Sequence, residues 1–131
     1  KGKSVWSTIL KVVIAVATAI AGVVGISSCI GGEKINLIVV HCSATKADRD
    51  FTEQDLEVCH RRRGMNGPGY HFYIRKNGDI KSTRPIERIG AHSRGFNKES
   101  IGICYEGGLD CKGQPKDTRT EWQKHSMRVL I

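Results

Sequence analysis

Six consecutive residues, Ile35-Asn36-Leu37-Ile38-Val39-Val40, include five aliphatic side chains and stand between Gly31-Gly32 and the polar stretch from Ser43 to Asp50. An apolar run of that length without alternation predicts a strand buried on both faces, and therefore a sheet covered by helices rather than open to water on one side. It ends in His41-Cys42-Ser43-Ala44-Thr45. A histidine at the end of such a strand is held at a sheet edge, where one imidazole nitrogen can meet a metal. A hydrolytic site is one consequence of that placement.

The rest of the chain supplies the covering helices and further strands. Thr52 to Arg63 reads as a helix, with Thr52 as N-cap, Asp55 completing a capping box and Phe51 placed to act as a hydrophobic staple. Gly64-Met65-Asn66-Gly67-Pro68-Gly69 cannot continue it and forms a loop. Tyr70 to Arg75 and Asp79 to Ser82 form a hairpin about Asn77-Gly78. Alternation places Tyr70, Phe72 and Ile74 on one face and His71 and Tyr73 on the other. Ile101 to Tyr105 is a further strand ended by Gly107-Gly108, and Thr120 with Gln123 opens a last helix carrying Trp122, Val129 and Leu130. The fold class is α/β, with a mixed central β-sheet flanked by helices. A chain of 131 residues suits one modest domain that buries about two-thirds of its unfolded surface.

Charge divides the chain in two. All 13 Asp and Glu lie at or after Glu33, whereas residues 1–32 hold three lysines and no acid. Within that leader, Val12 to Ile26 is uncharged, and Val5 to Leu10 extends it to a full membrane crossing if Lys11 snorkels. A positive start, an apolar middle and the small residues Ser27 and Ser28 favour an export signal. Ile26-Ser27-Ser28-Cys29 is similar to a bacterial lipobox, which makes Cys29 a lipidation candidate. A membrane anchor through residues 5–26, or fusion of a small hydrophobic protein to a domain fragment, remain the other readings of residues 1–32.

From Glu33 onward, 18 Lys and Arg against 13 Asp and Glu leave a net charge of +5. A basic surface attracts nucleic acid, anionic membranes and acidic polymers alike. No nucleic-acid motif or aromatic-rich strand face accompanies the charge, so nucleic acid is not an expected partner. Arg61-Arg62-Arg63 closes the first helix, where cations complement the dipole. The five cysteines lack paired CxxC spacing, against a zinc ribbon or a disulfide framework. Cys42 and Cys104 read as small buried hydrophobes. His60 and His125, on helices among charged neighbours, read as surface residues.

Five blocks together resemble one family: His41-Cys42-Ser43-Ala44-Thr45; Gly69-Tyr70-His71-Phe72; Asn77-Gly78; Gly90-Ala91-His92-Ser93-Arg94-Gly95-Phe96-Asn97; and Ser100-Ile101-Gly102-Ile103-Cys104 with Gly107-Gly108. Their order and spacing are similar to those of the zinc-dependent N-acetylmuramoyl-L-alanine amidases of the bacteriophage-lysozyme type, whose relatives include the peptidoglycan recognition proteins. The resemblance covers Ile35 to Ile131, so residues 33–131 are expected to be the N-terminal portion of an amidase domain, incomplete at its C-terminus. It implies hydrolysis of the amide between N-acetylmuramic acid and L-alanine of peptidoglycan, with Zn2+ activating water. His41 matches the first metal ligand, and Tyr70 a catalytic phenol that orients water or stabilises the tetrahedral intermediate. His92, and with it Asn97, is implied to contact substrate or to stand behind the metal ligands. His71, turned from Tyr70, is expected to be hydrogen-bonded in the sheet.

The family's other two ligands, a histidine and then a cysteine or aspartate, are expected beyond Ile131, and His125 does not match either. The chain alone is therefore expected to bind zinc weakly and to be inactive. A non-catalytic peptidoglycan-binding module of the same fold is the alternative. A monomer in the cell envelope or periplasm, lipid-anchored through Cys29, is expected; if the leader is a fusion, a phage-type cytoplasmic protein is the other location.

Overall fold

A computed structural model describes residues 29–30 and 33–131. The expectations placed on residues 1–28, including the membrane anchor, lie outside the described residues, as does the side chain of Cys29. Among the described residues no helix is long and apolar enough to cross a membrane.

The chain opens with two short antiparallel strands, β1 (Cys29–Ile30) and β2 (Glu33–Lys34), and then enters β3 (Leu37–Cys42). After β4 (Thr45–Lys46) comes helix α1 (Glu53–Arg62), and then the hairpin β5 (Phe72–Ile74) and β6 (Ile80–Ser82). A 3-10 turn at Asn97–Glu99 leads into β7 (Ser100–Tyr105), followed by β8 (Gly108–Leu109) and helix α2 (Glu121–Leu130). The main sheet has the order β3-β7-β5-β6. Its first three strands are parallel neighbours and β6 returns antiparallel, so the sheet is mixed, as expected. A second parallel pair, β4 with β8, ties the chain after β3 to the chain after β7.

Both helices start where their sequences place the caps. The Thr52 hydroxyl accepts from the Asp55 amide at 3.1 Å and the Asp55 carboxylate accepts from the Thr52 amide at 2.9 Å. Thr120 and Gln123 repeat the arrangement at 3.1 and 3.0 Å. Each box satisfies two amides that the first helical turn leaves without a partner.

The alternation of the central strands gives the sheet two apolar faces. Tyr73 and Cys104, both fully buried, pack with Leu56 of α1. Phe72, Ile74 and Ile103 pack with Met127 of α2 and Ile86. The result is a helix on each side of one sheet. Glu106, just past β7, is 1 % exposed; its carboxylate accepts from the Phe51 amide, the Arg75 guanidinium and the Lys76 amide at 2.7, 2.7 and 2.9 Å. That one side chain joins the loop before α1 to the hairpin.

Two expectations are corrected. The strand around Ile35 to Val40 is an edge strand, with Leu37, Ile38 and Val40 exposed rather than covered on both faces, because among the described residues β7 is its only partner in the main sheet. Tyr70 does not share a face with Phe72: β5 begins only at Phe72, and the bend before it turns Tyr70 toward the α1 side, where it packs with Leu56, Tyr73 and Cys104. On α2, Trp122 is exposed, and Gln123, Ser126, Met127 and Val129 are the buried positions.

Candidate active site

Parallel pairing of β3 with β7 places His41 opposite Cys104, near the C-terminal ends of both strands. Loops following such strand ends are where α/β sheets place their ligands. Tyr70, leading into β5, brings its ring centroid within 5.1 Å of that of His41. His92 comes from the loop between β6 and β7, and its Nδ1 lies 3.0 Å from His41 Nε2. The three rings form one cluster, with Tyr70 and His92 centroids 6.3 Å apart.

The seat of His92 is built from glycine. A Cβ on Gly90 would stand 2.6 Å from His92 Cδ2, and one on Gly102 would overlap the ring itself. Asn97 fixes the loop from behind, its side-chain oxygen accepting from the amides of His92 and Ser93 at 2.9 and 2.8 Å. Asn97 therefore supports the backbone of His92. Ser100, fully buried at the start of β7, sets its Oγ 3.3 Å from His92 Nε2.

Burial holds the cluster uncharged. Partial desolvation lowers the pKa of His41. For His92, burial first and the nearby His41, His71 and Arg84 next push it down to about 4. Burial, and after it the Cys104 thiol, pushes the Tyr70 phenol up, so it keeps its proton at neutral pH. The site thus offers neutral imidazoles with unprotonated nitrogens beside a phenol able to donate a hydrogen bond. Such a set can position or deprotonate water and steady a developing oxyanion.

Two further histidines hold the walls. His71 is fully buried; its Nε2 donates to the Arg88 carbonyl at 2.8 Å and its Nδ1 accepts from the Gly102 amide at 3.1 Å. That is the hydrogen-bonded sheet histidine expected from the sequence. His60 corrects the surface expectation: it is buried at 5 %, and its Nδ1 accepts from the Gly69 amide at 3.0 Å, anchoring the residue before Tyr70. The signal was the i, i+4 spacing of Leu56 and His60, which puts both on the inward stripe of α1. His125 is half-buried rather than a surface residue, and its Nε2 has no hydrogen-bond partner.

Zinc fits these residues incompletely. Among the described residues no three His, Cys, Asp or Glu side chains come together to hold a metal ion, whereas a catalytic zinc takes three protein ligands. Cys104 lies beside Tyr70, yet its burial pushes the thiol well above its usual range, away from the thiolate a metal needs. The cluster supplies His41, with His92 hydrogen-bonded to it, and is not by itself a zinc site.

Known proteins share this arrangement of elements. The endolysin of Klebsiella phage KP32 is 37% identical over 99 residues, which cover 76% of this chain and 66% of that protein. The solved structure of the N-acetylmuramoyl-L-alanine amidase LysC from Clostridium intestinale URNW superposes with a TM-score of 0.63 at 36% identity, over 73% of this chain and 59% of LysC. Peptidoglycan recognition protein-LE, in complex with tracheal cytotoxin, a monomeric diaminopimelic acid-type peptidoglycan, gives 0.62 at 25% identity over 74% and 58%. The chain thus spans about three-fifths to two-thirds of the length of these relatives. Residues 1–31 match a separate family of unknown function. Residues 31–131, which contain the whole main sheet with His41, Tyr70 and His92, match the N-acetylmuramoyl-L-alanine amidase family model, and the chain belongs to that family.

Proposed function

We propose that this segment serves hydrolysis of the amide between N-acetylmuramic acid and L-alanine in bacterial peptidoglycan. The observation that carries the proposal is the convergence of His41, Tyr70 and His92 at one sheet edge in a chain of this family. Neutral His41 offers a lone pair to a water or a metal, and the protonated Tyr70 phenol stands ready to donate to the oxyanion of an attacked amide. Zinc belongs to the proposal as a Lewis acid that polarises the amide and activates water when a full ligand set is supplied. His41 is its proposed ligand in this chain. Among the described residues too few ligands come together, so weak zinc binding and little hydrolysis are expected of them.

The short donor set favours one second reading, a module that holds the glycopeptide without cutting it. A solved relative in complex with a monomeric peptidoglycan supports glycopeptide recognition by this fold. Lysis by a phage is the role suggested by an endolysin relative, and wall turnover by a cell would use the same chemistry. Envelope localisation and lipid anchoring through Cys29 stay part of the proposal, tested by labelling with a lipid precursor. An unlabelled, uncleaved product would favour the membrane anchor or the fusion.

Retention on purified peptidoglycan, measured together with zinc content, tests the proposal. Retention of the 131-residue chain with little bound zinc is the expected result. Loss of retention with salt-sensitive binding to DNA instead would overturn it in favour of a basic nucleic-acid-binding domain.

A further inference from the structure

We propose that Ser100 is a positioning residue that fixes which nitrogens of the His92 and His41 pair carry protons. Ser100 Oγ donates to the Phe96 carbonyl at 2.7 Å, which uses the only proton it has. Toward His92 Nε2, 3.3 Å away, it therefore presents a lone pair. A neutral imidazole carries one N–H, and a lone pair facing a lone pair inside the fold is unfavourable, so the proton of His92 belongs on Nε2. Ser100 is fully buried, which leaves water no access from its side to supply another partner.

The consequence passes through the ring. With Nε2 protonated, His92 Nδ1 holds a lone pair, and the group 3.0 Å from it, His41 Nε2, must donate. Neutral His41 then carries its proton on Nε2 and keeps a free lone pair on Nδ1. That nitrogen is the one left to meet a water or a metal. A partner that settles the tautomer of a histidine from behind is the role a second hydrogen bond performs at many imidazole sites. Gly90 and Gly102 close the seat around the ring, and Asn97 fixes its backbone, so His92 cannot exchange its two nitrogens by turning freely. Nothing in this chain of bonds depends on the substrate; the inference rests on the amidase reading only for its bearing on turnover.

Tautomers are read directly by long-range proton–nitrogen correlation in the full chain labelled on its imidazole nitrogens. The expected pattern is protonated Nε2 on both His92 and His41, with both Nδ1 atoms unprotonated. Ser100→Ala should lose that single pattern at His92, giving a mixture or a reversal, and Ser100→Thr, which keeps the hydroxyl, should restore it. Protonated Nδ1 on His92 in the unmodified chain would overturn the proposal, as would an unchanged pattern in Ser100→Ala. Should Ser100→Ala fail to fold, the unmodified chain and Ser100→Thr decide the matter. Retention on peptidoglycan, scored on the same samples, is separate: its loss alongside the expected tautomers would count against the amidase reading and leave this one standing.

Discussion

Gly102 has no room for a side chain, because the ring of His92 occupies the space a Cβ would take. Gly102→Ala should therefore push His92 out of its seat and break its 3.0 Å contact with His41, at an overpacking cost of about 1–3 kcal/mol. Loss of the His41–His92 contact by nuclear magnetic resonance, with a lowered unfolding midpoint, checks this; an undisturbed contact would contradict it. His92 also couples folding to pH. Its folded pKa, about 4, lies below the unfolded value of about 6.5, so the unfolded chain binds the proton more readily between those values. The stability that neutral His92 contributes is complete above about pH 6.5 and is lost as pH falls toward about 4. Denaturant midpoints across that window should fall with pH, and fall less steeply in His92→Gln. His41 and Tyr70 were singled out by their motifs, and the fold brings their rings together. Contact between His41 and His92, 51 residues apart, was not, since it depends on the β3–β7 register and on a seat of two glycines.

Element boundaries were most legible where a side chain closes its own backbone. Thr52 with Asp55 and Thr120 with Gln123 form the boxes their spacing predicts, and Asn77-Gly78 makes the hairpin turn, with Gly78 at φ 92°. Tyr70 was misplaced because alternation was carried back through a bend that is not strand. Gln123 shows what the sequence hid: besides capping α2, it is fully buried and donates to the carbonyls of Ile74 and Glu106 at 3.2 and 2.9 Å. Gln123→Ala removes the cap partner and takes the side-chain donor from the buried Glu106 carbonyl, while the Ile74 carbonyl keeps the Glu106 amide, so a loss of about 1–3 kcal/mol is expected in equilibrium unfolding. An unchanged midpoint would show that α2 is held by its apolar face alone. Glu106→Ala should cost more, about 3–5 kcal/mol, because it strips a charged partner from Arg75 and an acceptor from two amides.

For the molecule as a whole, the same hydrophobic run that announced a sheet produces its exposed edge. Leu37, Ile38 and Val40 are 37 %, 40 % and 42 % exposed on β3. An apolar edge strand is a template for pairing with another chain. The 131-residue chain should self-associate as its concentration rises, and Ile38→Lys should move the onset to higher concentration, as sedimentation would show. Identical onsets would mean that β3 is not the contact. The α/β class and the helix-covered sheet were readable from patterning; which strand lies at the edge was not, because sheet order is set by crossovers that periodicity does not encode. The bond assigned to hydrolysis is the amide between N-acetylmuramic acid and L-alanine. Mass spectrometry of soluble muropeptide after treatment with a protein carrying this segment and a full ligand set, compared with its His41→Ala variant, identifies it. Stem peptides with a new free L-alanine amino terminus are expected, absent in His41→Ala. New reducing sugar ends, or undiminished release by His41→Ala, would contradict that assignment.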